Sequence, residues 1–208
     1  IDSGRVIYQR DLASGCYIRG MQLVKGNKVE EISLEEFREV LSSYERVEVD
    51  LGTGDGNFVY KSALAGGGTL FVGIDPVAKE LRKFSKKALR KKLENVLFVV
   101  GSVENLDLVF GKVGELVDWV HVFFPWGSLL KCVVSPDEEM LDIINGALKA
   151  GGKMEMIFGY DENLEPSEVG RLGLDELSEG ALLKKTVPLY GRAGFELDVL
   201  EETVEKLP

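Results

Sequence analysis

The segment Val47–Gly56, VEVDLGTGDG, groups residues whose types and spacing suit the binding of a nucleoside. An apolar-alternating strand ends in a carboxylate, Asp50, and glycines follow at Gly52, Gly54 and Gly56. A strand that breaks into a glycine turn lets a ligand approach backbone N–H groups closely. About twenty residues on, a second strand, TLFVGID at Thr69–Asp75, ends in another acid, in the place where a Rossmann-like site holds ribose hydroxyls. The glycine spacing is G-x-G-x-G, one residue tighter than the dinucleotide fingerprint. Asp50 and Asp55 would repel a pyrophosphate and attract a cationic amino-acid tail. Charge therefore favours S-adenosylmethionine, which carries an ammonium and a sulfonium. A glycine turn that merely links a strand to a helix is the plainer reading, and the second acid speaks against it.

The elements around these residues alternate. MQLVKGNKVEEI, at 21–32, reads as a hairpin turning at Gly26-Asn27. Ser33-Leu-Glu-Glu36 is a capping box opening a helix to about Tyr44. Strands are expected at Arg46–Leu51, Thr69–Asp75, Val96–Gly101, Asp118–Phe124, Lys153–Tyr160 and Phe195–Leu200. Helices are expected after Gly56, from Pro76, at Ser128–Val134, at Pro136–Leu148 (closed by Gly151-Gly152) and at Leu183–Gly194. The acidic, Gly/Pro-interrupted stretch Asp161–Leu183 reads as an insert over the sheet's edge. Strand alternating with helix predicts an α/β fold with a doubly wound, mostly parallel sheet preceded by an N-terminal β-hairpin. Residues 21–208 read as one domain, with 1–20 expected to be a tag remnant or short extension.

Composition narrows the classes. The chain has 208 residues, 45% of them hydrophobic, enough for one α/β domain with a full core. No apolar run approaches the length of a membrane span, and the first twenty residues lack the apolar core of a secretory signal. Cys16 and Cys132 show no metal-like spacing, so no metal, no disulfide framework and a cytoplasmic location are expected. His121, the only histidine, lies inside the strand WVHVFF and reads as structural rather than as a base. The net charge of −10 argues against non-specific nucleic-acid binding. Yet Lys79–Lys92, KELRKFSKKALRKK, carries eight basic residues against one acid. A basic helix on an acidic body can steer RNA to one face, although such a run is more often a solvated surface.

With these motifs in place, the chain resembles the aminoglycoside-resistance methyltransferases that modify N1 of a decoding-site adenine in 16S rRNA, the kanamycin–apramycin resistance type. DLGTGDG at Asp50–Gly56, GIDP at Gly73–Pro76, SKKALRKK at Ser85–Lys92, an acid at Glu104 and FPWGSLL at Phe124–Leu130 follow the family's order. The resemblance implies a class I SAM-dependent methyltransferase fold. It implies that Asp50, Gly52, Thr53 and Gly54 line the methionine end of the cofactor. Asp75, with Pro76 beside it, would bind the ribose, and Ser102, Val103 and Glu104 would surround the adenine. Phe124 and Pro125 would face the reactive methyl, Trp126 would stack on the target base, and Ser128 would hold the pocket's shape. Lys86, Lys87, Arg90, Lys91 and Lys92 would meet the rRNA backbone of the small ribosomal subunit, with the enzyme acting as a monomer.

Each role has a plainer counterpart: Trp126 as core, Glu104 as a helix-start acid, Ser128 as an N-cap. Compared with the family, the chain ends at Leu207-Pro208 before a second tryptophan, and its only tryptophans are Trp119 and Trp126. Either the family's C-terminal strand is missing, or a loop residue takes the place of its second tryptophan. The linker Lys92-Leu-Glu-Asn95 is shorter than the family's. Two other functions compete: a methyltransferase of the same fold acting on another RNA or on a small metabolite, the latter favoured by the acidity and opposed by the basic helix and FPWG, and a non-catalytic nucleoside-binding module, which the set Asp50, Asp75 and Glu104 opposes.

Overall fold

Strands β5 (Arg46–Leu51) and β6 (Thr69–Asp75) are buried along nearly their whole length, as central parallel strands covered on both faces must be. A computed structural model describes residues 9–10, 17–18, 20–103, 106–110, 113–136, 138–157 and 179–196. The remaining strands of its main sheet are β3 (Met21–Lys25), β4 (Lys28–Ile32), β7 (Val96–Val100), β8 (Val117–Phe123) and β9 (Leu148–Ile157). The order is β4-β3-β7-β6-β5-β8-β9. Pairs from β7 to β9 are parallel, and β3 joins both β7 and β4 antiparallel. The doubly wound, mostly parallel sheet with an N-terminal hairpin is thus present. Two short strands before it, β1 (Gln9–Arg10) and β2 (Tyr17–Ile18), pair with each other.

Helices cover the two faces separately. On one face α2 (Asn57–Ala65) and α3 (Ala78–Lys91) bury Val59, Ala63, Leu81, Phe84 and Ala88 against Phe71, Val96 and Phe98. The other face holds a larger core. There α1 (Leu34–Ser42), α4 (Leu106–Val109), α5 (Gly127–Val134) and α6 (Glu138–Ala147) pack Phe37, Leu41, Leu130, Leu141 and Ile144 with the inward residues of β5, β6 and β8. Tyr190 of α7 (Glu179–Arg192) packs on the same core. The expected capping box opens α1: Ser33 Oγ accepts from the Glu36 N–H at 3.1 Å, and Glu36 Oε2 accepts from the Ser33 N–H at 2.7 Å.

Several boundaries differ from the sequence expectation for visible reasons. Helix α3 starts at Ala78 rather than Pro76, because Asp75 Oδ1 accepts from the Val77 N–H at 2.8 Å and holds the chain in a turn first. Gly151 and Gly152 do not close a helix ahead of the fifth strand; they lie inside β9. Val117 pairs with Leu148 and Trp119 with Lys153, so the intervening residues bulge opposite Asp118, with Gly151 at φ +76°. Asp118 Oδ2 fixes this bulge by accepting from Lys149 Nζ at 2.7 Å and from the Val47 N–H at 2.8 Å. The last described helix begins at Glu179, ahead of Leu183. The rest of the expected insert, and all but the start of the strand expected at Phe195–Leu200, lie outside the described residues.

One buried hydroxyl joins the hairpin to the basic helix. Ser85 of α3 is 2% exposed; its Oγ accepts from the Gly26 N–H at 2.8 Å and donates to the Val24 carbonyl at 2.7 Å. Ser85→Ala leaves both backbone groups unpaired, so a loss of about 1–3 kcal/mol in urea-unfolding free energy is expected; an unchanged midpoint would contradict this link.

Candidate active site

The C-terminal ends of β5, β6, β7 and β8 open onto one cleft of about 320 Å³. In open α/β sheets ligands settle in such a place, outside the carboxyl ends of the strands. Gly52 and Gly54 from the turn after β5 line it, with Asp75 and Pro76 after β6, Ser102 and Val103 after β7, and Phe124, Pro125, Trp126 and Ser128 after β8. Ten of the residues singled out in the sequence therefore meet in one cavity. Leu51, Ile74, Val77, Gly101, Leu106 and Leu129 complete the lining; sequence reasoning missed them because apolar side chains carry no chemical signature. Leu129 at least sat within the quoted FPWGSLL. Glu104 lies outside the described residues.

The glycines are required by shape. Gly52 has φ +74°, and a Cβ there would lie 2.6 Å from Leu129 Cδ2; at Gly56, φ +79°, it would lie 2.5 Å from the Phe98 ring. Around Gly54, φ +60°, a Cβ would meet nothing within 4 Å, so this glycine leaves bare backbone facing the cleft. Its N–H donates to Asp75 Oδ2 at 3.0 Å. With the Val77 N–H on the other oxygen, Asp75 is held in one orientation, and each carboxylate oxygen keeps a lone pair for a hydroxyl. Burial raises the Asp75 carboxyl above its ordinary range, the Val77 and Gly54 N–H groups oppose this, and Glu80 adds to the rise.

Asp50 and Thr53 do not line the cleft but lie behind it. Asp50 is 4% exposed, and among the described residues no ion pair neutralises it. Burial pushes its carboxyl up to about 6; the Thr53 hydroxyl and His121 pull it down, and Asp75 pushes it up. Thr53 Oγ1 is itself buried without a well-aligned hydrogen-bond partner among the described residues. A buried carboxylate with no ion-pair partner among the described residues, set behind the glycine turn, fits a ligand that brings a cationic end.

The far side of the cleft is aromatic and exposed. Trp126 is 55% and Phe124 45% accessible, so Trp126 is not core. Phe124 has φ +50°, a backbone state that a bulky residue adopts only when its surroundings impose it; its N–H donates to the Ile157 carbonyl at 2.8 Å. Trp126 itself occupies the N-cap position of α5, so Ser128 is not the cap and instead contributes to the lining.

The basic residues lie apart, along α3. Helical rise places Lys86–Lys92 about 12–21 Å along the axis from its start at the cleft edge. Lys86, Arg90, Lys91 and Lys92 are exposed. Lys87 is half-buried, with Nζ 4.2 Å from the centroid of the Phe84 ring. Lys83 pairs with Asp55 at 2.7 Å, so this turn acid braces the helix. Lys92, at φ 55°, ends it.

A seven-stranded sheet of this order, with a glycine turn and a backbone-held acid lining the cleft at its strand ends, is that of a Rossmann-like SAM-dependent methyltransferase. The family model described as NpmA: 16S rRNA (adenine(1408)-N(1))-methyltransferase matches residues 22–206, and the chain belongs to this family. A 16S rRNA (adenine(1408)-N(1))-methyltransferase of Escherichia coli is 33% identical over 187 residues, covering 88% of this chain and 84% of that one. The crystal structure of the aminoglycoside resistance methyltransferase NpmB1 is similar at 37% identity and TM-score 0.73, covering 84% of this chain and 85% of that one. A variant of the 16S rRNA (adenine(1408)-N(1))-methyltransferase from Catenulisporales acidiphilia, crystallised with cosubstrate SAM, matches at 26% identity and TM-score 0.72, covering 84% of this chain and 79% of that one.

The raised Asp50 carboxyl links stability to pH. Folding favours its protonated form, so the ligand-free protein loses stability as pH rises from about 4 to about 6. Asp50→Asn removes the buried charge. Near neutral pH it is expected to stabilise the ligand-free protein by on the order of 2–3 kcal/mol, a gain that vanishes below about pH 4, while SAM binding collapses. Thermal scans across pH and calorimetry check both halves; a variant that binds normally contradicts the role of Asp50.

Proposed function

We infer that this chain transfers a methyl group from SAM to N1 of the adenine in 16S rRNA that its family methylates, giving aminoglycoside resistance. The observation that carries this reading is the pair of accessible rings, Phe124 and Trp126, flanking buried Pro125 directly beside the glycine-lined crevice. Family membership across almost the whole chain supports it. Bound SAM supplies an electrophilic methyl on a sulfonium sulfur, and the adenine N1 lone pair needs no general base to attack it.

The chain's own residues therefore bind, orient and exclude. Asp50 attracts the ammonium through the Gly52–Gly54 turn. Asp75, held by two backbone N–H groups, receives the ribose hydroxyls. Val77, Val103, Leu106 and Leu129 supply apolar walls, and Ser102 and Glu104 polar edges, for the adenine of the cofactor. Phe124 and Pro125 border the methyl. Trp126 stacks on the flipped target base, where its π face stabilises the positive charge that N-methylation creates. Most of the acceleration comes from in-line positioning.

The substrate enters as folded RNA, recognised through phosphates and shape. Lys86, Arg90, Lys91 and Lys92 form the footprint, and Lys87 contributes through a side chain braced on Phe84. The protein works as a monomer on small ribosomal subunits in the cytoplasm. Among the described residues no helix is long and apolar enough to cross a membrane. The acidity of the rest of the chain, 34 acidic against 17 basic residues outside Lys79–Lys92, confines RNA to this one face.

Labelled SAM incubated with small subunits or with a metabolite mixture, followed by primer extension, tests the assignment; label in the metabolite fraction alone refutes it. Trp126→Ala is expected to keep SAM affinity within about twofold and to lower methyl transfer by roughly tenfold or more; a normal rate on subunits removes the stacking role. Reversing charge at Lys86, Arg90 and Lys91 is expected to weaken subunit binding and flatten its salt dependence by roughly one unit per lost contact. An unaltered salt slope means the RNA docks elsewhere.

A further inference from the structure

His121 is a buried titratable group that the mechanism above does not use. It is 4% exposed on β8, beside Asp50 on β5 and Glu155 on β9 in the parallel register. Nδ1 lies 3.1 Å from Glu155 Oε2 and Nε2 lies 3.2 Å from Glu48 Oε2. The ring is stacked on Trp119 at 5.2 Å, with Phe58 of α2 at 5.2 Å edge-on and Phe123 also at 5.2 Å. It therefore cannot turn away from either acid.

Ionised carboxylates only accept hydrogen bonds, and a neutral imidazole has one N–H. Two carboxylates on one ring are satisfied together only when both nitrogens carry protons. The charged groups on this face are Arg46, Glu48 and Asp50 on β5 and Lys153 and Glu155 on β9; α2 brings the Phe58 ring against His121, and its Lys61, one turn further on, is exposed. Arg46 pairs with Glu48 at 2.9 Å. Asp50 is left with no ion-pair partner among the described residues, and the ring one strand away, about 5 Å by strand spacing, is the group placed to offset its charge.

We propose that His121, clamped as an imidazolium between Glu48 and Glu155, is a positioning residue for the cofactor, supporting the ionised form of the Asp50 carboxylate that receives the ammonium. This rests on the SAM-binding role of Asp50 inferred above. His121 touches neither cofactor nor base and acts through its neighbour across the strand. The opposing pulls on Asp50, burial and Asp75 upward, His121 downward, agree with it.

Because the chain has one histidine, the charge state is directly readable. Nitrogen-15 NMR of histidine-labelled protein at about pH 7 should show both ring nitrogens protonated; the signature of a neutral tautomer overturns the proposal. SAM affinity is then measured by calorimetry from about pH 6 to 8.5 in wild type, His121→Gln, Glu155→Gln and Asp50→Asn. His121→Gln should bind about fivefold more weakly near pH 7 and regain wild-type affinity at the alkaline end, because Asp50 ionises later. Glu155→Gln, altered at a half-exposed side chain, should shift the same way by less, and keeps the test alive if the buried substitution fails to fold. A wild-type pH profile in both, or an equal loss at every pH, overturns the proposal and leaves the cofactor assignment standing, provided Asp50→Asn fails to bind. Wild-type affinity in Asp50→Asn overturns both.

Discussion

The Asp75 carboxylate ties the glycine turn to the neighbouring strand, and the cleft depends on that tie. One oxygen receives the Gly54 N–H and the other the Val77 N–H. The close approach of the turn to β6 is possible because residue 73 is glycine: a Cβ there would lie 2.9 Å from both Thr53 Cγ2 and Val59 Cγ2. The backbone of the turn also anchors to β6, with the Gly52 and Thr53 N–H groups both donating to the Ile74 carbonyl at 2.9 and 3.0 Å. Two strand ends and one turn thus form a single hydrogen-bonded unit. The same carboxylate that shapes the crevice also lines it.

This unit stands against a destabilising neighbour. Asp50 sits buried with its ionisation opposed by desolvation and only partly offset by the Thr53 hydroxyl and His121, an expense carried by the empty protein. Functional sites commonly hold such groups, and stability and activity pull apart there. The core offsets the penalty: Val47, Val49, Leu70, Val72 and Ile74, each within 2% of full burial, pack together on the sheet's other face.

Much of this was legible from the residues. Strand β5 and the end of β6 fell where alternation and terminal acids placed them, since two covered faces leave little freedom of register. Trp126 was legible as a residue outside the core, because a tryptophan after a proline at a strand end has poor access to it, and it is in fact half-exposed. What escaped was tertiary in origin. Gly151-Gly152 looked like a helix stop, yet they form a bulge that a distant carboxylate, Asp118, holds in place. Likewise, Lys87 looked equivalent to Lys86 by type, and only packing shows that it lies over Phe84. His121 read as a quiet strand residue because its partners, Glu48 and Glu155, are 73 and 34 positions away in the chain.

The left-handed backbone at Phe124 has a wider implication. Its N–H is fastened to Ile157 at the end of β9, so the aromatic ring is aimed by the sheet and not by a pliable loop. A rigid ledge of this kind discriminates by fit: whatever docks beside it must conform to the protein, because the protein has little latitude to reshape itself. Replacement by glycine would relieve the backbone while erasing the ring, which makes this position a gauge of how far a fixed aromatic edge outweighs ease of folding.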